Sequence, residues 1–170
     1  MADDRPLKAA PSRMDEATFV ATYGGLYEHS PHFAQYVWRH RPHADLDTVD
    51  GLAGWLEEAV ERSSRKEQLT LIRAHPDLAD RAQLSPESVS EQAGAGLDNC
   101  SAAELAEFRS LNDAYKARFG FPFIKAVRGF SRDQILNEFR RRAANDPQDE
   151  LRTALDEIHK IARMRLSDLA

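Results

Sequence analysis

Apolar residues recur along most of the chain at the three- and four-residue spacing that puts them on one face of an α-helix. Phe19, Tyr23, Leu26 and Tyr27 form the first stripe, and Gly24-Gly25 interrupts it, where a backbone or a ligand can approach closely. Ser30-Pro31 restarts a helix, with serine as N-cap and proline at the first position. Leu52, Trp55, Leu56, Ala59 and Val60 share one face of the next. Ser64 with Glu67 forms a capping box ahead of Leu69, Leu71 and Ile72. Ser101 with Glu104 opens a helix carrying Leu105, Phe108, Leu111 and Tyr115, which Gly120 closes. Ser131 with Gln134 opens another, carrying Ile135, Leu136 and Phe139. Asp146-Pro147 starts the last, whose stripe is Leu151, Leu155, Ile158, Ala162 and Leu169.

The alternation of a half-buried strand is missing. The segment FGFPFIKAV, Phe119 to Val127, is too short and too interrupted by proline for its period to decide between strand and loop. The expected architecture is therefore all-α, a single compact domain of roughly seven to nine helices over residues 14–170. Residues 1–13, polar and with two prolines, are expected to be a flexible leader. The chain has no internal repeat and no linker long enough to divide it.

Composition narrows the function classes. Of 170 residues 42% are hydrophobic and 30% charged, which suits a globular protein rather than a disordered one. A net charge of -5 argues against clamping a nucleic-acid backbone. The one dense basic run, Arg140-Arg141-Arg142, reads as a solvated helix face. A single cysteine, Cys100, permits no intrachain disulfide and reads as a small apolar residue near a helix start. No apolar run approaches a membrane span, and the N-terminal residues lack the apolar core of a signal peptide, so a cytoplasmic protein is expected.

Three places break the apolar pattern. His75 precedes a proline, which pushes it out of helical conformation and leaves it at a helix C-terminus, where carbonyl dipoles favour a protonated imidazole. A plain C-terminal cap accounts for that equally well. Ser85-Pro86 then opens a helix in which Ser88, Glu91 and Gln92 share one face, with Val89 and Ala93 on an adjacent face for packing. Such a polar stripe is usually solvated surface. The third place is Arg165, which falls inside the apolar stripe of the last helix, whereas Arg152 and Arg163 fall on the outer side. A guanidinium so placed snorkels to water, finds a carboxylate, or awaits an anionic ligand. The pairs His29/His32 and His40/His43 have metal-like spacing, but each is split by proline and lacks a companion cysteine or carboxylate, so no metal site is expected. Phosphate-cradling glycine loops, GxSxG elbows and HExxH pairs are absent from the sequence.

Five segments taken together resemble the OHCU (2-oxo-4-hydroxy-4-carboxy-5-ureidoimidazoline) decarboxylases of urate breakdown. They are GGLYEHSP (residues 24–31), LIRAHPDLA (71–79), SVSEQAGAGL (88–97), FGFPFIKAVRG (119–129) and IARMRLSDL (161–169). They lie in order over nearly the whole chain, and AHPDLA, SxxEQxxAGL and FGFPFIxAVRG are each distinctive. Many members carry a longer, glycine-containing stretch where this chain has the compact DRAQLSPE.

The resemblance implies an all-helical fold, a homodimer, and decarboxylation to (S)-allantoin without metal or organic cofactor. It implies that His75 matches the family's catalytic histidine, Glu91 its partner glutamate and Arg165 the arginine near the C-terminus. Pro76, Ser88 and Gln92, with Phe123, Ile124, Lys125, Ala126 and Val127, match positions that line the substrate pocket. The residues by themselves leave two alternatives: a non-enzymatic helical interaction domain, and a related decarboxylase or hydrolase acting on another ureido acid.

Overall fold

The structure, a computed structural model, describes residues 2–40, 45–79 and 86–170. It is all-α. Among the described residues eight α-helices run in chain order: α1 (Glu16–Tyr23), α2 (His32–His40), α3 (Val49–Arg62), α4 (Arg65–Arg73), α5 (Pro86–Gly94), α6 (Ala102–Phe119), α7 (Arg132–Arg142) and α8 (Pro147–Ser167). Two short 3-10 turns accompany them, and the only β-pairing among the described residues is an isolated bridge between Pro6 and Thr48. No helix among these residues is long and apolar enough to cross a membrane.

Most helix boundaries sit where the side chains dictate. Asp15 caps α1, its carboxylate accepting from the amide of Thr18 at 2.8 Å. The boxes at Ser64/Glu67, Ser101/Glu104 and Ser131/Gln134 all form, each satisfying amides that the first helical turn leaves without partners. Gly120 ends α6 with φ +76, a left-handed conformation that glycine adopts without steric penalty. At the start of α8 the Asp146 carboxylate accepts from the Gln148 amide at 2.9 Å.

The chain's contacts gather into two compact units, Met1–Leu71 with His159–Ala170, and Ile72–Ile158. In the first, α1, α2 and α3 bury Phe19, Tyr23, Phe33, Val37, Leu52, Leu56 and Val60. Residues 3–9, expected as a frayed leader, are bonded into this unit. Leu7 is buried and its amide donates to the Asp47 carbonyl at 2.8 Å, while the amides of Val49 and Asp50 donate to the carbonyls of Arg5 and Asp3. Composition hid this, because backbone groups rather than side chains make most of the attachment. In the second unit, Tyr115 is the hub of an aromatic core with Phe119, Phe121, Phe123 and Phe139.

Two readings of surface are overturned. Arg142, placed by pattern on a solvated face, has no exposure at all. Its guanidinium pairs with the equally buried Glu150 at 3.0 Å, donates to the Ile124 carbonyl at 2.7 Å and lies over the Phe123 ring. Tyr115 donates its hydroxyl to the same carboxylate, and Asn145 donates to it at 2.9 Å. Burial by itself disfavours a charged Glu150, but the bonds from Arg142, Tyr115 and Asn145 outweigh it and hold its pKa below the usual value. In the opposite sense Leu169, assigned to the buried stripe, is 38% exposed, because α8 ends at Ser167 and Leu166 takes the inner position.

Candidate active site

His75 lies two residues beyond the last residue of α4, its amide donating to the Ile72 carbonyl at 3.2 Å, and it is buried. The turn that follows is fastened at three successive residues. Asp77 pairs with Lys116 at 2.6 Å, the Leu78 carbonyl accepts from the Asn112 side chain at 3.1 Å, and the Ala79 amide donates to Gln92 Oε1 at 3.0 Å. Ala79 has φ +62, a conformation uncommon for a residue with a Cβ, and these bonds are what maintain it. The turn carrying His75 is therefore attached to both α5 and α6.

Helix α5 is inverted relative to an ordinary surface helix. Ser88 and Gln92, the polar stripe expected to be solvated, are 5% and 7% exposed. Val89 and Ala93, expected to supply the packing, face out, with Val89 at 50%. Glu91 is half-buried on the polar side. A helix that turns hydroxyl, carboxamide and carboxylate inward gives up transfer free energy unless those groups meet polar partners. Gln92 meets the Ala79 amide, which brings the polar side of α5 against the His75 turn.

Residues 121–127 are buried and form neither helix nor strand. Two buried charged residues bond its backbone. The Ile124 carbonyl accepts from Arg142, and the Ala126 amide donates to the buried Glu157 at 2.8 Å. The Lys125 ammonium pairs with Glu138 at 2.6 Å and sits over the Phe130 ring, and Phe123 stacks on Phe139 with centroids 4.0 Å apart. So Phe123 and Lys125 point their side chains into packing and an ion pair. Pro76 is half-buried beside His75.

Arg165 belongs to the first unit. Its side chain is 6% exposed, and Nη1 donates to Glu28 Oε2 at 2.9 Å. Of the three states open to a guanidinium on an apolar stripe, the structure selects pairing. Pattern does not mark Glu28 and places Arg142 on a solvated face; a carboxylate inside the GGLYEHSP loop and an arginine in a basic run carry no local signal of burial. His43 lies outside the described residues, as do residues 80–85. Among the described residues no group of three or more His, Cys, Asp or Glu side chains is disposed to hold a metal ion. A roomy cavity of about 930 Å³ is lined by Asp77, Leu78, Arg109 and Asn112 among others, but by none of the predicted site residues.

The family described as OHCU decarboxylase matches residues 12–167. The 2-oxo-4-hydroxy-4-carboxy-5-ureidoimidazoline decarboxylase of Haloferax volcanii is 43% identical over 157 residues, covering 92% of this chain and 92% of its own. Among solved structures, that of an (S)-allantoin synthase superposes with TM-score 0.75 at 33% identity over 92% of this chain, which spans only 51% of that protein. An OHCU decarboxylase crystallised in the presence of (S)-allantoin superposes with TM-score 0.66 at 27% identity, covering 81% of this chain and 89% of the other.

Proposed function

The chain belongs to the OHCU decarboxylase family, and we propose that it catalyses the cofactor-independent decarboxylation of 2-oxo-4-hydroxy-4-carboxy-5-ureidoimidazoline to (S)-allantoin and CO2. It is thus a carboxy-lyase of urate catabolism. The observation that carries this reading is the inward-turned polar face of α5, fastened through Gln92 to the turn that bears His75.

Breaking the bond to a carboxylate leaves an electron pair that must be accommodated. In this substrate the adjacent ring C=N accepts it, so the heterocycle supplies the electron sink that other decarboxylases obtain from a cofactor. The protein's task is then to orient, to exclude water and to place one proton. His75 carries that proton, since an imidazole can both accept and donate one. Glu91 sets the protonation state of His75 or holds the substrate hydroxyl. Ser88 and Gln92 supply directional polar contacts to the ureido-imidazoline, and Pro76 with the 123–127 segment shapes the pocket. Arg165 holds an anionic group of the substrate and fixes its position. Protonation from one side only, at the ring carbon bearing the ureido group, gives the S product. We assign the enzyme to the cytoplasm, on family membership and a sequence with one cysteine, and to a homodimeric state.

A coupled assay tests the whole scheme. Urate is oxidised to hydroxyisourate, this is hydrolysed, and circular dichroism follows the appearance of optically active allantoin. The protein is expected to accelerate that appearance. Racemic allantoin forming at the spontaneous rate in its presence refutes the assignment.

A further inference from the structure

We propose that Glu28 is a positioning residue for Arg165, and that the loop between α1 and α2 is shaped to present it. The inference rests on the reading above that Arg165 meets the substrate. A guanidinium in the apolar stripe of α8 has lost most of its water, and a buried cation without an opposite charge is strongly disfavoured. Glu28 provides that charge from a side chain only 1% exposed, at 2.9 Å. The carbonyls of Gly25 and Leu26 lie 3.5 Å from the same nitrogen, so the loop surrounds Nη1 with acceptors.

The loop is built to aim this carboxylate inward. His29 takes φ +49, in the left-handed region that L residues seldom enter. Ser30 donates its hydroxyl to the Glu28 carbonyl at 2.9 Å and its amide to the Tyr27 carbonyl at 3.1 Å, which closes the turn. The neighbouring residue, Tyr27, bonds His159 Nδ1 at 2.8 Å. His159 and Arg165 are separated by about 9 Å along α8, at 1.5 Å per residue. Two adjacent loop residues thus hold the same helix at two heights, one through an imidazole and one through a guanidinium.

The carboxylate has two consequences for an anionic substrate. It fixes the direction of the planar guanidinium fork, which recognises a carboxylate or carbonyl only in the right plane. It also offsets part of the positive charge, so that Arg165 orients its ligand without trapping it. Glu28 itself touches no reacting atom in this scheme.

Glu28→Gln keeps the volume and one acceptor oxygen while removing the charge. Steady-state kinetics are run with thermal melting on wild type, Glu28→Gln, Arg165→Gln and the double variant. If Glu28 acts through Arg165, kcat/KM falls about tenfold or more in Glu28→Gln, and adding that change to Arg165→Gln costs less than about twofold further. A merely structural role lowers Tm and leaves the kcat and KM of folded protein at wild-type values; that result, or losses that multiply in the double variant, overturns the proposal. Should Glu28→Gln unfold below the assay temperature, Glu28→Asp replaces it, keeping the charge but withdrawing the carboxylate by one methylene, with the same two outcomes. Wild-type protein without decarboxylase activity sinks the functional reading and this inference together, whereas active wild type with an equally active Glu28→Gln sinks only this one.

Discussion

The amide of Ala79 donates to Gln92 Oε1 at 3.0 Å, tying the turn that carries His75 to the polar side of α5. One carboxamide thereby converts two sequence motifs, AHPDLA and SVSEQ, into one piece of structure. Gln92→Leu keeps the helix propensity and roughly the size but leaves a half-buried amide and a left-handed alanine without their partner. The expected loss is about 1–3 kcal/mol of stability, typical of an unsatisfied buried donor, together with a fall in kcat/KM larger than that of the exposed Val89→Ala. Urea unfolding and coupled kinetics measure the two effects; wild-type kinetics in Gln92→Leu would separate the bond from the reaction.

His75→Ala and Glu91→Ala are expected to lower turnover by two or more orders of magnitude, in the range general acid–base groups contribute, about 10²–10⁴-fold. Both variants should remain folded by circular dichroism, since neither residue belongs to the aromatic core. Full activity in either variant removes that residue from the mechanism.

Arg142 and Glu150 form a pair with 1% and 0% side-chain exposure. Arg142→Met is expected to destabilise by about 3–5 kcal/mol, because it leaves a buried carboxylate without its cation. The double variant Arg142→Met/Glu150→Met should lose less than Arg142→Met alone, since no uncompensated charge remains. Chemical denaturation of the three proteins checks the order.

Acid should destabilise the fold progressively. The Ser64 amide and hydroxyl hold Glu67 below the ordinary carboxylate range, the Ser101 amide and hydroxyl do the same for Glu104, and Glu150 is held low by the network described above. A native pKa lower than the unfolded one means that the unfolded chain binds more protons, so stability falls as pH falls. The contribution of each group is complete above the unfolded value, about 4.3 for glutamate, and disappears as pH drops through the lower native value. Urea midpoints measured from pH 7 to pH 3 should fall, and Glu104→Gln, less stable at pH 7, should show a shallower decline.

Arg163 was expected on the outer side of α8, a position where truncation does little. It is instead half-buried, pairing with Asp50 and, at 2.9 Å, with Glu57. Arg163→Ala should therefore lower stability by about 1 kcal/mol or less, the scale of partly exposed ion pairs, without changing kcat/KM. The exposed Arg152, paired with Asp156 one helical turn away, is the quieter control. Melting curves distinguish the two.

The helices were legible because their signals are local. A serine three residues before a glutamate, a proline after a cap and a glycine after the last turn act on amides and carbonyls within one turn, whatever the rest of the chain does. The same locality explains the failures. Nothing within a few residues of Arg142 announces a carboxylate at position 150, nothing near Val89 says that its helix faces Ser88 inward, and the backbone bonds that hold residues 3–9 involve groups every residue possesses.

By itself the sequence determined the all-α class, most of the helix limits and, through its motifs, the family and the candidates His75, Glu91 and Arg165. Only the tertiary structure decided which polar groups lose their water: Arg142 with Glu150, Arg165 with Glu28, Ser88 and Gln92 on α5. The reason is energetic. A polar side chain can be buried only where a partner from a distant part of the chain compensates its desolvation, and periodicity along one helix contains no information about that partner.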